Sequence, residues 1–359
     1  MFDIAKNVVD RRFNIETLFV ADSTPHEVIF KEALLSVRFY SSLSSEQIES
    51  SSSSAPPKIP VVLIPPLGVA AWIFDLLPSR SLVKFLLDRN FCVYLIDWGE
   101  PNRAHAHLSL ENYVIDWFPK ALTSVRLHSK QANLSLVGYC MGGLLSLMYA
   151  AYSKDEYISN IVVLGSPIDF HSSGSMGKIL ARLNKPLSRL SKLARISLLD
   201  LKPGLFHVPG KLLSFSFNLT SPFSSIRSRL DLLIKLADRE YVAMHTTTSR
   251  WFNEMLDYPG AMVQSVIVQL GLSNSLSRDI LKLAGSPILF SSINAPIFAV
   301  AGMQDKIVSV EAVTRLLEMV SSLDKTLKVV PGGHAGLFAG AKAPETTWAY
   351  LSDWLSLRS

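Results

Sequence analysis

Six short, almost wholly apolar runs recur along the chain: "VVLIPP" (61–66), "FCVYLIDW" (91–98), "ANLSLVGYC" (132–140), "ISNIVVLGSPIDF" (158–170), "APIFAVAG" (295–302) and "TLKVVPGG" (326–333). None alternates apolar with polar residues, as a strand with one wet face would. Runs of this kind are strands buried on both faces. Segments with helical spacing lie between and after them: "SLVKFLLDRN" (81–90), "LENYVIDWFPKAL" (110–122), "GGLLSLMYAAYS" (142–153) and "PETTWAYLSDWL" (344–355). The second of these carries Pro119, which predicts a kink. Strand and helix in alternation imply an α/β fold, with a mostly parallel central sheet covered on both sides.

The rhythm breaks in three places. Residues 25–40, "PHEVIFKEALLSVRFY", are rich in β-branched and aromatic side chains and predict a hairpin or a pair of edge strands. Residues 41–54 hold nine serines in fourteen positions and predict a flexible loop, because they cannot bury enough apolar surface to pack. Residues 171–290 are helix-like, with Pro, Gly and Ser interruptions. The expected organisation is therefore an amino-terminal unit of strands and serine-rich loop (1–57), an α/β core in two pieces (58–170 and 291–359), and a helical cap (171–290) inserted between them.

The 359 residues carry a formal charge of +5, and no Lys/Arg block or zinc-ligand spacing accompanies it, which argues against nucleic acid. The opening "MFDIAKNVVDRRF" has acidic residues and no apolar h-region, so no signal peptide is expected. No apolar run of about 18 residues predicts a transmembrane helix. Two cysteines make no disulfide framework. Cys92 reads as a small buried hydrophobe. The expected location is a reducing cytoplasm, where a thiol stays reactive.

Cys140 is the other cysteine, and it sits in "GYCMGG" between an apolar strand and a helix. Gly-x-Cys-x-Gly is the hydrolase motif Gly-x-Ser-x-Gly with sulfur in place of the hydroxyl, in the strand–turn–helix setting that motif requires. The turn would lift Cys140 above the sheet and aim the Met141 N–H at a developing oxyanion. A second backbone donor is expected at Leu67 or Gly68 in "PPLGVAAW", beyond two prolines that have no N–H. The order nucleophile, acid, histidine is completed by Asp305 in "GMQDKIV" and His334 in "PGGHAGLF", each just past a strand. The bland alternatives are a helix N-cap for Asp305 and a solvated loop histidine for His334. His105 and His107 lack acidic or sulfur neighbours and read as a polar loop rather than a metal site. Asp97 reads as structural. No metal or cofactor is expected.

Read in order, "PHEVIFKEALLSVRFY", "VVLIPPLG", "FCVYLIDWGEP", "LSLENYV", "VGYCMGGLLSLMYAA", "GSPIDF", "GMQDKIV" and "PGGHAGLFAG" resemble the motifs of polyhydroxyalkanoate synthases, most closely the catalytic subunit of the two-subunit type. The resemblance runs from about residue 15 to the end and implies an α/β-hydrolase fold with Cys140, Asp305 and His334 as the triad. It implies a hydroxyacyl-coenzyme A substrate, a growing polyester chain as product, and a place at the polyester granule surface. It leaves open a homodimer and a second, PhaE-type subunit. The chain departs from the family at Met141, where a glutamine is usual, and in "VSVEAV", where a proline is. Two other readings stand beside this one: a thioesterase or esterase with a cysteine nucleophile, and a non-catalytic granule-binding relative.

Overall fold

The structure is a computed structural model that describes residues 2–41, 58–194, 197–219 and 230–359. The serine-rich segment from residue 42 onward, expected to be a flexible loop, lies outside the described residues.

Eight strands build one sheet: β1 (His26–Glu32), β2 (Leu35–Tyr40), β3 (Val61–Ile64), β4 (Val93–Asp97), β5 (Leu134–Tyr139), β6 (Ile158–Leu164), β7 (Ile297–Gly302) and β8 (Lys325–Val330). Their spatial order is β1-β2-β4-β3-β5-β6-β7-β8. The pairs β1–β2 and β2–β4 are antiparallel, and every pair from β4 to β8 is parallel. β3, β5 and β7 bury all their residues, as continuous apolar runs must. The edge strands β1 and β8 are largely exposed or half-buried.

The helices are α1 (Phe2–Phe13), α2 (Leu82–Leu87), α3 (Phe118–Ser129), α4 (Met141–Ser153), α5 (Gly174–Ala194), α6 (Gly210–Leu219), α7 (Arg239–Asn253), α8 (Gly260–Gln264), α9 (Val310–Met319), α10 (His334–Ala339) and α11 (Ala349–Ser356). Two apolar clusters flank the sheet. One gathers β3, α3, α4 and α9 around Leu136 and Val163, and the other gathers α2, α10 and α11 around Val137 and Val300. Pro119 acts differently from the expected kink. Residues Asn112–Trp117 form a π-helical stretch that runs into α3, and Pro119 occupies the first turn of α3, where its missing N–H goes unused.

One feature of the amino-terminal segment was not legible, whereas the strand pair expected over residues 25–40 is present. α1 packs against α7 of the segment between β6 and β7: Arg239 donates to Asp10 (2.7 Å) and to Asn7 (3.1 Å), and the Asn7 amide donates to the Leu236 carbonyl (2.9 Å). β1 and β2 instead extend the sheet. There Arg38 bridges Asp22 (2.8 Å) and Asp97 (2.6 Å), which gives Asp97 a structural task. Between β6 and β7 the described residues are chiefly helical, joined by a π-helical stretch Ser265–Leu272 and a small ribbon, Lys282–Leu283 with Ser286–Pro287. No helix among the described residues is long and apolar enough to cross a membrane.

Candidate active site

Parallel register brings the strand ends together. Tyr139 pairs with Leu164, Leu164 with Val300, and Gly302 with Val330. Chain leaving β5, β7 and β8 therefore emerges on one edge of the sheet, where open α/β sheets place their sites. Cys140 is one residue past β5, Asp305 three past β7, and His334 four past β8.

Cys140 joins β5 to α4 with φ 51° and ψ −117°, a conformation unusual for any residue with a Cβ. Its N–H donates to the Leu164 carbonyl (2.8 Å), and its own carbonyl accepts from the Ser166 hydroxyl (2.8 Å). The glycines of the motif are steric necessities. A Cβ on Gly138 would lie 2.3 Å from the Gly143 nitrogen, and one on Gly142 would lie 2.1 Å from the Ile64 carbonyl oxygen. That second approach presses the loop after β3 against the start of α4. Met141 opens α4, so its N–H has no carbonyl four residues back within the helix. Gly68 takes φ +80°, and its carbonyl accepts from Leu256 (2.9 Å). Leu67 is buried one residue earlier.

Asp305 and His334 meet. The Asp305 Oδ2 lies 2.8 Å from His334 Nδ1, with the Asp305 side chain fully buried and that of His334 nearly so. Asp305 Oδ1 accepts from the backbone N–H of Ile307 (2.8 Å) and Val308 (2.9 Å), which fixes the carboxylate without a further side chain. Cys140 is the other group acting on the His334 imidazole. Cys92 is mostly buried, and desolvation pushes its thiol pKa up. His105 caps its own turn by accepting from the Asn102 N–H (3.1 Å), and His107 bonds the Ala104 carbonyl (3.2 Å). No group of His, Cys, Asp and Glu among the described residues could hold a metal ion.

A profile described as alpha/beta hydrolase fold matches residues 60–194. In overall shape the chain is similar to a soluble variant of monoglyceride lipase from Saccharomyces cerevisiae (TM-score 0.55, 16% identity, covering 95% of this chain and 96% of that one). At that identity the likeness speaks for the fold alone. In sequence it is 28% identical over 337 residues to the poly(3-hydroxyalkanoate) polymerase subunit PhaC of Haloferax mediterranei, covering 94% of this chain and 64% of that protein. It is 26% identical over 351 residues to the protein of the same name from Thiocystis violacea, covering 96% and 93%. Over most of its length the chain is thus similar to poly(3-hydroxyalkanoate) polymerase subunits. It spans just under two thirds of the Haloferax relative and nearly all of the Thiocystis one.

The electrostatics of His334 follow from its neighbours. Burial pulls its pKa down. A thiolate at Cys140, hydrogen bonds to Asp305 and Cys140, and the Asp305 charge together outweigh burial and raise it to about 10. A proton taken from the thiol is therefore held by the ring at neutral pH. Sequence reasoning missed two aromatic residues near this candidate site. Tyr139 stacks on His334 (centroids 5.3 Å apart) and donates to the His334 carbonyl (3.1 Å), which fixes the start of α10. Its position beside Cys140 in the motif was the available signal. Tyr258 comes from the β6–β7 segment, paired with Val208, and packs its ring on Gly68. Desolvation, with the charge of a Cys140 thiolate next, pushes its phenol well above the usual range. No local pattern marked Tyr258.

Proposed function

We propose that the chain is an acyltransferase that polymerises (R)-3-hydroxyacyl-coenzyme A, short-chain and most simply 3-hydroxybutyryl-CoA, into polyester with release of CoA. The observation that carries this reading is a sulfur nucleophile at the elbow of a hydrolase fold, beside a buried His334–Asp305 pair. The names of its relatives support it.

The chemistry explains the sulfur. His334 takes the Cys140 proton, and the thiolate attacks the thioester carbonyl. Backbone N–H groups of Met141 and of Leu67 or Gly68 stabilise the oxyanion. The carbon–sulfur bond to coenzyme A breaks, and CoA leaves with the proton held on His334. One thioester replaces another at little free-energy change, whereas a serine would give an oxoester and lose the activation needed for the next bond. Acylation also removes the thiolate charge that holds the His334 proton. The ring is then a better base for the hydroxyl of a second hydroxyacyl group. That oxygen attacks the Cys140 acyl group, the carbon–sulfur bond breaks, and an ester forms. No electrons change hands, so the cycle needs no cofactor.

Water at the acyl–Cys140 intermediate would convert the synthase into a thioesterase. Residues 171–290 act as a cap that excludes it. The site of action is the granule surface, and a second subunit of PhaE type, or a second copy of the chain, is the expected partner.

The decisive assay incubates the purified chain with 3-hydroxybutyryl-CoA and measures free CoA and polymer together. Polymer formed in step with CoA supports the synthase. CoA with only monomeric acid means a thioesterase, and neither product means a binding protein.

A further inference from the structure

Beside the triad lies a cavity of about 890 Å³ that reaches the His334 ring. Its wall includes five separate parts of the chain: Arg11 on α1, Arg80 before α2, Lys306 after β7, Phe215 on α6 and Phe252 on α7. None of its lining residues is acidic.

The cations there are not balanced by carboxylates. Arg11 donates to His245 Nδ1 (3.2 Å) and Arg80 to the Ala339 carbonyl (3.3 Å). Among the described residues no ion pair involves Arg11, Arg80 or Lys306. Burial lowers the pKa of both guanidinium groups, so each loses hydration with no anion to offset the loss. Asp10, one residue from Arg11, is already committed to Arg239 at 2.7 Å. A partly buried cationic wall with aromatic side chains opposite suits a ligand carrying phosphates and a flat ring.

We infer that this cavity seats the 3′-phospho-ADP head of the acyl-coenzyme A, with its phosphates on Arg11, Arg80 and Lys306 and its adenine against Phe215 and Phe252. The inference rests on the synthase reading and adds the nucleotide site to it. His334 then stands between the bound nucleotide and Cys140, so the pantetheine arm runs past the ring toward the sulfur. It also gives α1 a task in substrate binding, through Arg11.

Kinetics with two substrates test this: 3-hydroxybutyryl-CoA, and the matching thioester of pantetheine, which lacks the nucleotide. Arg11→Gln and Lys306→Gln should each raise KM for the CoA thioester about tenfold, the effect of one lost charge-assisted bond to phosphate. They should leave kcat and the pantetheine kinetics unchanged. Arg80→Gln should do the same, with Arg80→Lys as the partial rescue if the glutamine variant melts early. Unchanged KM for the CoA thioester, or an equal change for both thioesters, overturns the proposal while leaving the synthase reading intact. Calorimetric titration with 3′,5′-ADP separates the two in the other direction. Arginine-dependent binding in a chain that releases no CoA upholds the cavity and sinks the synthase. No binding of 3′,5′-ADP by the unaltered chain overturns the cavity.

Discussion

Strands β3, β5 and β7 bury every residue, whereas the segment between β6 and β7 leaves Leu205 74%, Phe215 62% and Ile234 80% exposed. Both regions are rich in apolar residues, and they use them differently. The sheet spends its apolar surface against helices on both faces, which fixes strand ends to within the tolerance of close packing. That rigidity is what holds Cys140 at φ 51° and keeps the Asp305–His334 contact at 2.8 Å. The insertion has one small buried cluster of its own, Leu232, Val242 and Ala243 with Leu18 of the amino-terminal segment. The proposed chemistry falls to the first region, and the proposed coverage of the site to the second.

The largest expected effect separates two thiols of the core. Cys140→Ala should lower CoA release by about 10⁴–10⁶-fold, whereas Cys92→Ala should keep most activity, because Cys92 only fills space. Steady-state CoA release measures both, and near-normal turnover without Cys140 would remove the mechanism.

Next is the division of labour at Asp305. The thiol step needs a modest base, since a free thiol is already partly ionised near neutral pH, but the hydroxyl step needs a stronger one. Asp305→Asn should therefore retain a rapid burst of about one CoA per site and lose about 10²-fold or more of the later steady rate. Rapid-quench kinetics resolves the two phases. A burst slowed as much as the steady rate would mean that Asp305 acts only by orienting His334.

The third contrast is steric. Gly142→Ala drives a methyl into the Ile64 carbonyl and should lower stability by about 2–3 kcal/mol. In the insertion, the methyl of Gly204→Ala meets open space, and the change should stay within about 0.5 kcal/mol. Thermal melts compare them, and equal losses would show that the insertion is packed as tightly as the elbow.

The smallest effect is a titration. The His334 pKa is raised to about 10 from 6.5, so its ion-pair contribution to stability is complete below about pH 6.5 and fades as pH climbs through 10. In Cys140→Ala the thiolate is gone, and the imidazole pKa followed by NMR should fall. The loss of melting temperature between pH 7 and pH 10 should shrink with it. A histidine that titrates identically in both forms would contradict the contact with the thiol.

Legibility followed the same boundary. Six apolar runs in the chain correspond to β3 through β8; burial on both faces writes itself into consecutive residues of the inner strands, whereas the edge strand β8 is largely exposed despite its apolar run. The order Cys140, Asp305, His334 was readable because each stands at the end of such a run. α1 was not, since its docking on α7 depends on Arg239 and Asp10, residues more than two hundred positions apart. Pro119 suggested a kink and instead opens α3, because the preceding turn widens to π geometry.

The sequence by itself determined the sheet, the elbow and the choice of sulfur. Strand burial, the three glycines of "GYCMGG" and the nucleophile are properties of adjacent residues, set by local sterics and by period. Tertiary structure alone decided what surrounds them. It set Tyr258 against Gly68, Tyr139 against His334, and Arg11 and Lys306 in the wall of one cavity. Those neighbours come from segments with no shared pattern. Their meeting depends on how an insertion and an amino-terminal helix fold back over the sheet, and no local period encodes that distance.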